Sequence, residues 1–310
     1  MASFRSRIVR YFSGHYMRRV TPDRDVHELR AGLEYRGGLL PPAKNVKIQS
    51  VTINDIHCEW HVPAGCEDAP VIYYLHGGVY IMGSPATHRR LVSYIAREAG
   101  MRALVPDYRL APENRFPAAL EDSLGVYRQL LRDGLNASAM AIGGDSAGGN
   151  LAMATMLALR EAGDELPAAC ILISPWLDMT NEGESRRSRA SVDPWFNPAH
   201  VPASAAKMFS EFELRNPLVS PVFAEASGLP PTLIQVGDHE ILLSDSTRMA
   251  ENIRLAGGEV QLQVWPAMWH VFQFFIGQMP ESRRAIADIG RFLRPIFSQC
   301  RIETRVSKVA

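Results

Sequence analysis

Ile142-Gly143-Gly144-Asp145-Ser146-Ala147-Gly148-Gly149-Asn150 is the most informative stretch of this 310-residue chain. It follows the short apolar run Ala139–Ile142 and leads into the helical pattern Leu151–Glu161, so it joins an expected strand to an expected helix. A serine at such a junction sits on a tight turn with strained dihedrals. Residues two before and two after it then approach too closely to carry a Cβ. Gly144-x-Ser146-x-Gly148 meets that demand and has the form of a nucleophile elbow. The turn lifts the Ser146 hydroxyl above the end of a sheet, and the helix that starts there aims free amides at developing negative charge. The competing reading, a phosphate loop, requires G-x-G-x-x-G or a Gly-Lys-Ser/Thr ending, and neither is present.

Outward from the elbow the chain alternates between short β-rich runs and helical stretches. Val71–Leu75, Arg102–Pro106, Ala139–Ile142, Ala169–Ile173, Thr232–Val236 and Val260–Val264 read as strands. Thr87–Ala99, stopped by Gly100, and Pro117–Asp133, opened by proline and stopped by Gly134, carry the usual helix punctuation. Leu151–Glu161, Ser244–Ala256 and Glu281–Phe297 complete the helices. Repeated strand–helix units imply a mostly parallel sheet covered by helices on both faces. Upstream, Val46–Ile53 and Ile56–Val62 flank the turn pair Asn54-Asp55 and read as a hairpin. Residues 1–45 and 178–229 break the rhythm, and the second is too long for an ordinary connection. We read them together as a helical cap on a core made of residues 46–177 and 230–310.

Composition narrows the field. The 33 basic and 33 acidic side chains give no surplus for nucleic acid. No apolar run reaches the roughly 20 residues that span a bilayer. Cys58, Cys66, Cys170 and Cys300 are too scattered for a disulfide framework or a thiolate zinc site, and they fit a reducing cytoplasm. His57 and His61 look like metal ligands, but on a strand they lie about 13 Å apart, so no metal is expected. Near the N-terminus Arg5, Arg7, Arg10, Arg18 and Arg19 precede any acid, while Phe4, Ile8, Tyr11, Phe12 and His15 recur at helical spacing. That pattern predicts an amphipathic helix with its apolar face buried against the protein.

After the first parallel run comes His76-Gly77-Gly78-Val79-Tyr80. Acyl transfer creates an oxyanion that needs preorganised amides, and Gly77 and Gly78 can turn theirs into a cleft, with Ala147 as a third donor. His76 reads as an anchor for this loop. Together with Gly144-Asp145-Ser146-Ala147-Gly148, the loop resembles the hormone-sensitive-lipase-like family of esterases. Asp107-Tyr108-Arg109-Leu110-Ala111-Pro112-Glu113 and Phe116-Pro117-Ala118-Ala119 are similar to that family's intervening signature. The resemblance implies an α/β-hydrolase fold with a mostly parallel eight-stranded sheet, carboxylesterase activity, no cofactor and a homodimer as a candidate assembly. Val79 stands where the family has a third glycine, which implies an altered pocket and leaves tertiary-alcohol esters in question.

A serine hydroxyl needs a base. His270, after the last strand, is the only histidine beyond His239, and the order Ser…acid…His suits this fold. For the acid, Glu240 and Asp238 compete. The resemblance favours Glu240, because Glu240-Ile241-Leu242 is closest to the family's Asp-Pro-Leu. Asp245 reads as the start or cap of the following helix. Asp107, Arg109 and Glu113 read as ion-pairing loop anchors, and Trp195, Phe196 and Tyr80 as either pocket or packing residues. The expected activity is hydrolysis of short- to medium-chain acyl esters by Ser146, His270 and Glu240, on a small-molecule substrate without nucleic acid or stable membrane association. A non-catalytic small-molecule-binding protein of the same fold and an amidase with the same triad are the alternatives.

Overall fold

The computed structural model describes residues 2–17, 21, 23–209 and 213–298. Its centre is one eight-stranded sheet in the order β1-β2-β4-β3-β5-β6-β7-β8. The strands are β1 (Val46–Ile53), β2 (Ile56–Pro63), β3 (Val71–Leu75), β4 (Arg102–Pro106), β5 (Met140–Asp145), β6 (Ala169–Ile173), β7 (Thr232–Gly237) and β8 (Val260–Trp265). The hairpin β1–β2 forms as the sequence implies, with Asn54 and Asp55 both left-handed at its tip. β2 also runs antiparallel to β4, and the remaining pairs are parallel.

Strands β3, β5, β6 and β7 are buried along their whole length, as continuous apolar runs covered on both faces must be. Alternate side chains feed two cores. Ile72, Tyr74, Ala141, Ile171 and Ile173 pack with α3 (Pro85–Ala99) and α9 (Pro280–Phe297). Tyr73, Leu75, Ile142 and Leu172 pack on the other face with α4 (Ala118–Arg132), α5 (Ala147–Ala162) and α8 (Leu243–Leu255). α5 begins at Ala147, four residues earlier than its apolar pattern suggests, because the elbow glycines are already helical.

Two helices precede the sheet, α1 (Phe4–Met17) and α2 (Val26–Gly38). Among its described residues, the excursion between β6 and β7 holds the short α6 (Ser185–Ser188) and α7 (Val201–Ala206), with 3-10 turns at Pro198–His200 and Pro221–Phe223, among loops. One expectation fails here. The apolar face of α1 is not buried: Phe4 is 75% exposed, Tyr11 73%, Phe12 68% and Ile8 44%. The helix turns its small and polar side inward. Gly14 lies against Pro194, Ser6 is buried, and Arg10 reaches His239 Nδ1 at 2.7 Å and the Val192 carbonyl at 2.5 Å. An apolar stripe fixes that a helix forms, but the surface offered to it decides which side docks.

Candidate active site

The functional residues sit on loops at the C-terminal ends of β3, β5, β7 and β8, where parallel strands deliver their chains to one rim. Ser146 follows β5, near the middle of the sheet, with φ 54° and ψ −121°. Its amide donates to the Ile173 carbonyl at 2.9 Å, and its own carbonyl accepts from Trp176 at 3.0 Å. These bonds over-determine a backbone geometry that costs of order 1–3 kcal/mol. A Cβ at Gly148 would run into the Leu75 and His76 carbonyls, and one at Gly144 into those of Leu75 and Gly148. The elbow therefore needs glycine at both positions.

His270 and Glu240 meet as the sequence implies. His270 Nδ1 lies 3.0 Å from Glu240 Oε2, and both residues are buried. The other carboxylate oxygen, Oε1, accepts from the Gly237 amide at 2.6 Å and from Ser174 Oγ at 2.8 Å. Ser174 Oγ also accepts from the Val271 amide at 3.1 Å, so it ties the acid loop to the histidine loop. Asp238 points elsewhere, accepting from the Ala267 amide at 2.5 Å. Ser146 and His270 open onto the same cavity. Among the described residues no hydrogen bond yet joins them, and such contacts commonly tighten only around substrate.

The oxyanion loop differs from expectation at one residue. The Gly77 amide turns inward, 3.2 Å from both His88 Nε2 and Asp145 Oδ1, so it cannot also serve an oxyanion in the cavity. The Gly78 and Val79 amides take no acceptor among the described residues, and both residues line the cavity. The Ala147 amide opens α5, where no intrahelical acceptor exists. The available set is therefore Gly78, Val79 and Ala147. Sequence reasoning missed Val79 because a β-branched residue is an unusual occupant of a left-handed position, here φ 56°.

Behind the loop, His76 is an anchor, as read. Its ring stacks on Tyr108 at 4.2 Å, its Nδ1 lies 2.9 Å from the Gly77 carbonyl, and burial followed by the neighbouring His88 pushes its pKa down to about 3. Arg109 pairs with Asp122 at 2.7 Å and Glu113 with Arg30 at 2.8 Å, as loop anchors should. Tyr80 is a packing residue whose hydroxyl donates to Asn150 Oδ1 at 2.6 Å. Asp245 lies in the first turn of α8, as read, but it does not cap it. Its carboxylate accepts from the Leu177 and Asp178 amides at 2.9 and 3.0 Å and faces Arg186 at 3.2 Å, and burial raises its pKa to about 6.

Residues from the two segments read as a cap, 1–45 and 178–229, line the site. Phe196 and Trp195 stand edge-to-face on the His270 ring at 4.7 and 6.0 Å. Asp193 holds this turn in place, accepting from the Trp195, Phe196 and Ile241 amides at 2.8, 3.0 and 2.9 Å. Two cavities meet at Ser146. The larger, about 390 Å³, is bounded by Gly78, His270, Trp195, Phe274 and, from the N-terminal helices, Met17 and Leu29. The smaller, about 50 Å³, is bounded by Trp176, Val201, Ile241 and Leu242, and Val79 and Phe196 border both.

Residues 72–274 match the family model described as alpha/beta hydrolase fold. The chain belongs to the α/β-hydrolase family. Within it the relatives are esterases. An acetyl-hydrolase of Streptomyces hygroscopicus is 41% identical over 79% of this chain and 81% of its own length. An esterase of Acinetobacter venetianus is 36% identical over 85% of this chain and 87% of its own. The crystal structure of an esterase from the bacterial hormone-sensitive lipase family superposes with a TM-score of 0.89 at 41% identity, covering 96% of this chain and all of that one. This α/β-hydrolase is accordingly a carboxylic ester hydrolase of the hormone-sensitive-lipase-like branch.

Proposed function

We propose that this esterase hydrolyses short- to medium-chain acyl esters through an acyl-enzyme on Ser146, with its best rates at the short end. The observation that carries the reading is the convergence of Ser146, the Glu240-bound His270 and the Gly78, Val79 and Ala147 amides on one cavity rim. Ser146 Oγ attacks the ester carbonyl while His270 Nε2 takes its proton. The Gly78, Val79 and Ala147 amides receive the oxyanion. Glu240 holds the imidazole tautomer and stabilises its charged form. His270 then returns the proton to the departing alkoxide, and water, deprotonated by His270, releases the acid.

The same geometry divides the substrate. The leaving oxygen must lie beside His270, which borders the large cavity and not the small one. The alcohol part therefore occupies the large cavity, and the acyl part the small one, which has room for only a few carbons. The name of the acetyl-hydrolase relative supports the same reading. For location we propose the cytoplasm, on the strength of buried free thiols at Cys58 and Cys170.

The test is a p-nitrophenyl ester series from acetate through butyrate to octanoate. Acetate and butyrate should be turned over fastest, and Ser146→Ala should abolish hydrolysis throughout. Activity surviving in Ser146→Ala would overturn the mechanism. A preference for octanoate would overturn the assignment of the cavities while leaving the mechanism standing.

A further inference from the structure

Seven of the nine large hydrophobic side chains exposed among the described residues fall in the first 40 positions, four of them on α1. Phe4, Ile8, Tyr11 and Phe12 recur at steps of four, three and one, which is one helical face. Tyr11 and Phe12 pack edge-to-face on each other at 5.5 Å, and nothing among the described residues covers them. Exposed Arg5 and Arg7 stand among these rings, and α1 contains no acidic residue. The first acid of the chain is Asp23, after five arginines, although the whole chain is neutral.

Charge decides between two occupants for this face. A second copy packed on it about a two-fold axis would press two acid-free helices together, leaving Arg5 and Arg7 of each without a carboxylate on the facing α1. An anionic lipid surface supplies both an apolar boundary for the rings and phosphates for the guanidinium groups, the combination that interfacial helices use. The helix is also placed for it. Ser13 and Met17 of α1 border the large cavity at Ser146.

We propose that α1 is an interfacial helix that docks this enzyme reversibly on anionic membranes, with Phe4, Ile8, Tyr11 and Phe12 entering the headgroup boundary. Docking sets the mouth of the large cavity beside the lipid, so esters dissolved in the bilayer reach Ser146 without crossing bulk water. No helix among the described residues is long and apolar enough to cross a membrane, so attachment rests on this one face and stays reversible.

The test uses the full chain in flotation with vesicles of phosphatidylcholine alone or with added phosphatidylglycerol. The protein should float with the phosphatidylglycerol vesicles, less so at high salt. The Phe4→Ser/Tyr11→Ser/Phe12→Ser variant should lose at least about 10-fold in partitioning, given the apolar area removed. Arg5→Glu/Arg7→Glu should lose binding too. Both variants should keep wild-type rates on soluble p-nitrophenyl acetate, which reports an intact fold. Failure of the wild type to float with either vesicle, or floating that neither variant weakens, overturns the proposal. A concentration-dependent dimer that the triple variant makes monomeric, without vesicle binding, overturns it in favour of a second copy.

Discussion

The two sides of the active site are built by different means. On the sheet side, Ser146 and the oxyanion loop are held by strand-to-loop backbone bonds and by glycines that no other residue can replace. On the cap side, the walls come from irregular loops and two N-terminal helices pinned by a few side chains. Asp193 clasps the acid loop, Arg10 reaches His239 and the Val192 carbonyl, and Arg30 reaches the Ile81 and Ala111 carbonyls at 2.7 and 2.8 Å. Chemistry demands sub-ångström placement and is put where backbone ladders enforce it. Substrate selection tolerates change and is put where a side-chain substitution can move a wall.

The largest effect should come from the sheet side. Glu240→Gln should lower kcat by about 10³–10⁴-fold, because the imidazole loses its tautomer lock. Asp238→Asn, whose carboxylate accepts from the Ala267 amide and lies 3.8 Å from His239 Nε2, should stay within a few-fold of wild type in the same assay. Equal losses in the two variants would erase the distinction drawn between these neighbours.

Acid sensitivity should also belong to the sheet side. His61 on β2 is fully buried with both ring nitrogens unpartnered, and burial pushes its pKa down to about 4; His76 lies near 3. The unfolded chain protonates these rings near 6.5, so it binds more protons than the folded one below that pH. Stability should therefore fall as pH drops from about 6.5 toward 4, by up to about 3 kcal/mol from His61 alone. Urea titrations at several pH values should show this slope, reduced in His61→Leu.

Cap attachment should matter less. Asp193→Ala leaves three amides without their acceptor and should cost about 2 kcal/mol. Because Trp195 and Phe196 ride on that turn, KM should rise more than kcat falls in ester kinetics. An unchanged KM would mean that the cap turn holds its place without Asp193.

The smallest effect lies at the seam. Val79 occupies a left-handed position with φ 56°, so Val79→Gly should raise thermal stability by about 1 kcal/mol while keeping the amide proposed to serve the oxyanion. It should also merge the two cavities that Val79 borders and lengthen the accepted acyl chain, readable in the p-nitrophenyl series.

Particular residues mark how far the sequence reaches. β3, β4 and β6 were legible to the residue because their apolar runs are buried on both faces and end at the polar residues His76, Asp107 and Ser174. Ser146 and His270 were legible as candidates because the elbow spacing and the loop order are local or sequential facts, whereas the residues alone left Glu240 and Asp238 open and only the resemblance favoured Glu240. Ser174 left only a faint signal, its place just after β6 beside β7. Asp193 left none, since its partner Ile241 is 48 positions away.

What the sequence determined by itself was the sheet, the elbow and the loops that carry the candidate groups, because strand burial and glycine spacing are properties of neighbouring residues. What tertiary structure decided was orientation: which of Gly77 and Val79 offers its amide, which of Asp238 and Glu240 meets His270, and which side of α1 faces water. Each of those choices depends on contacts made by residues far apart in the chain, and those exist only once the loops are packed.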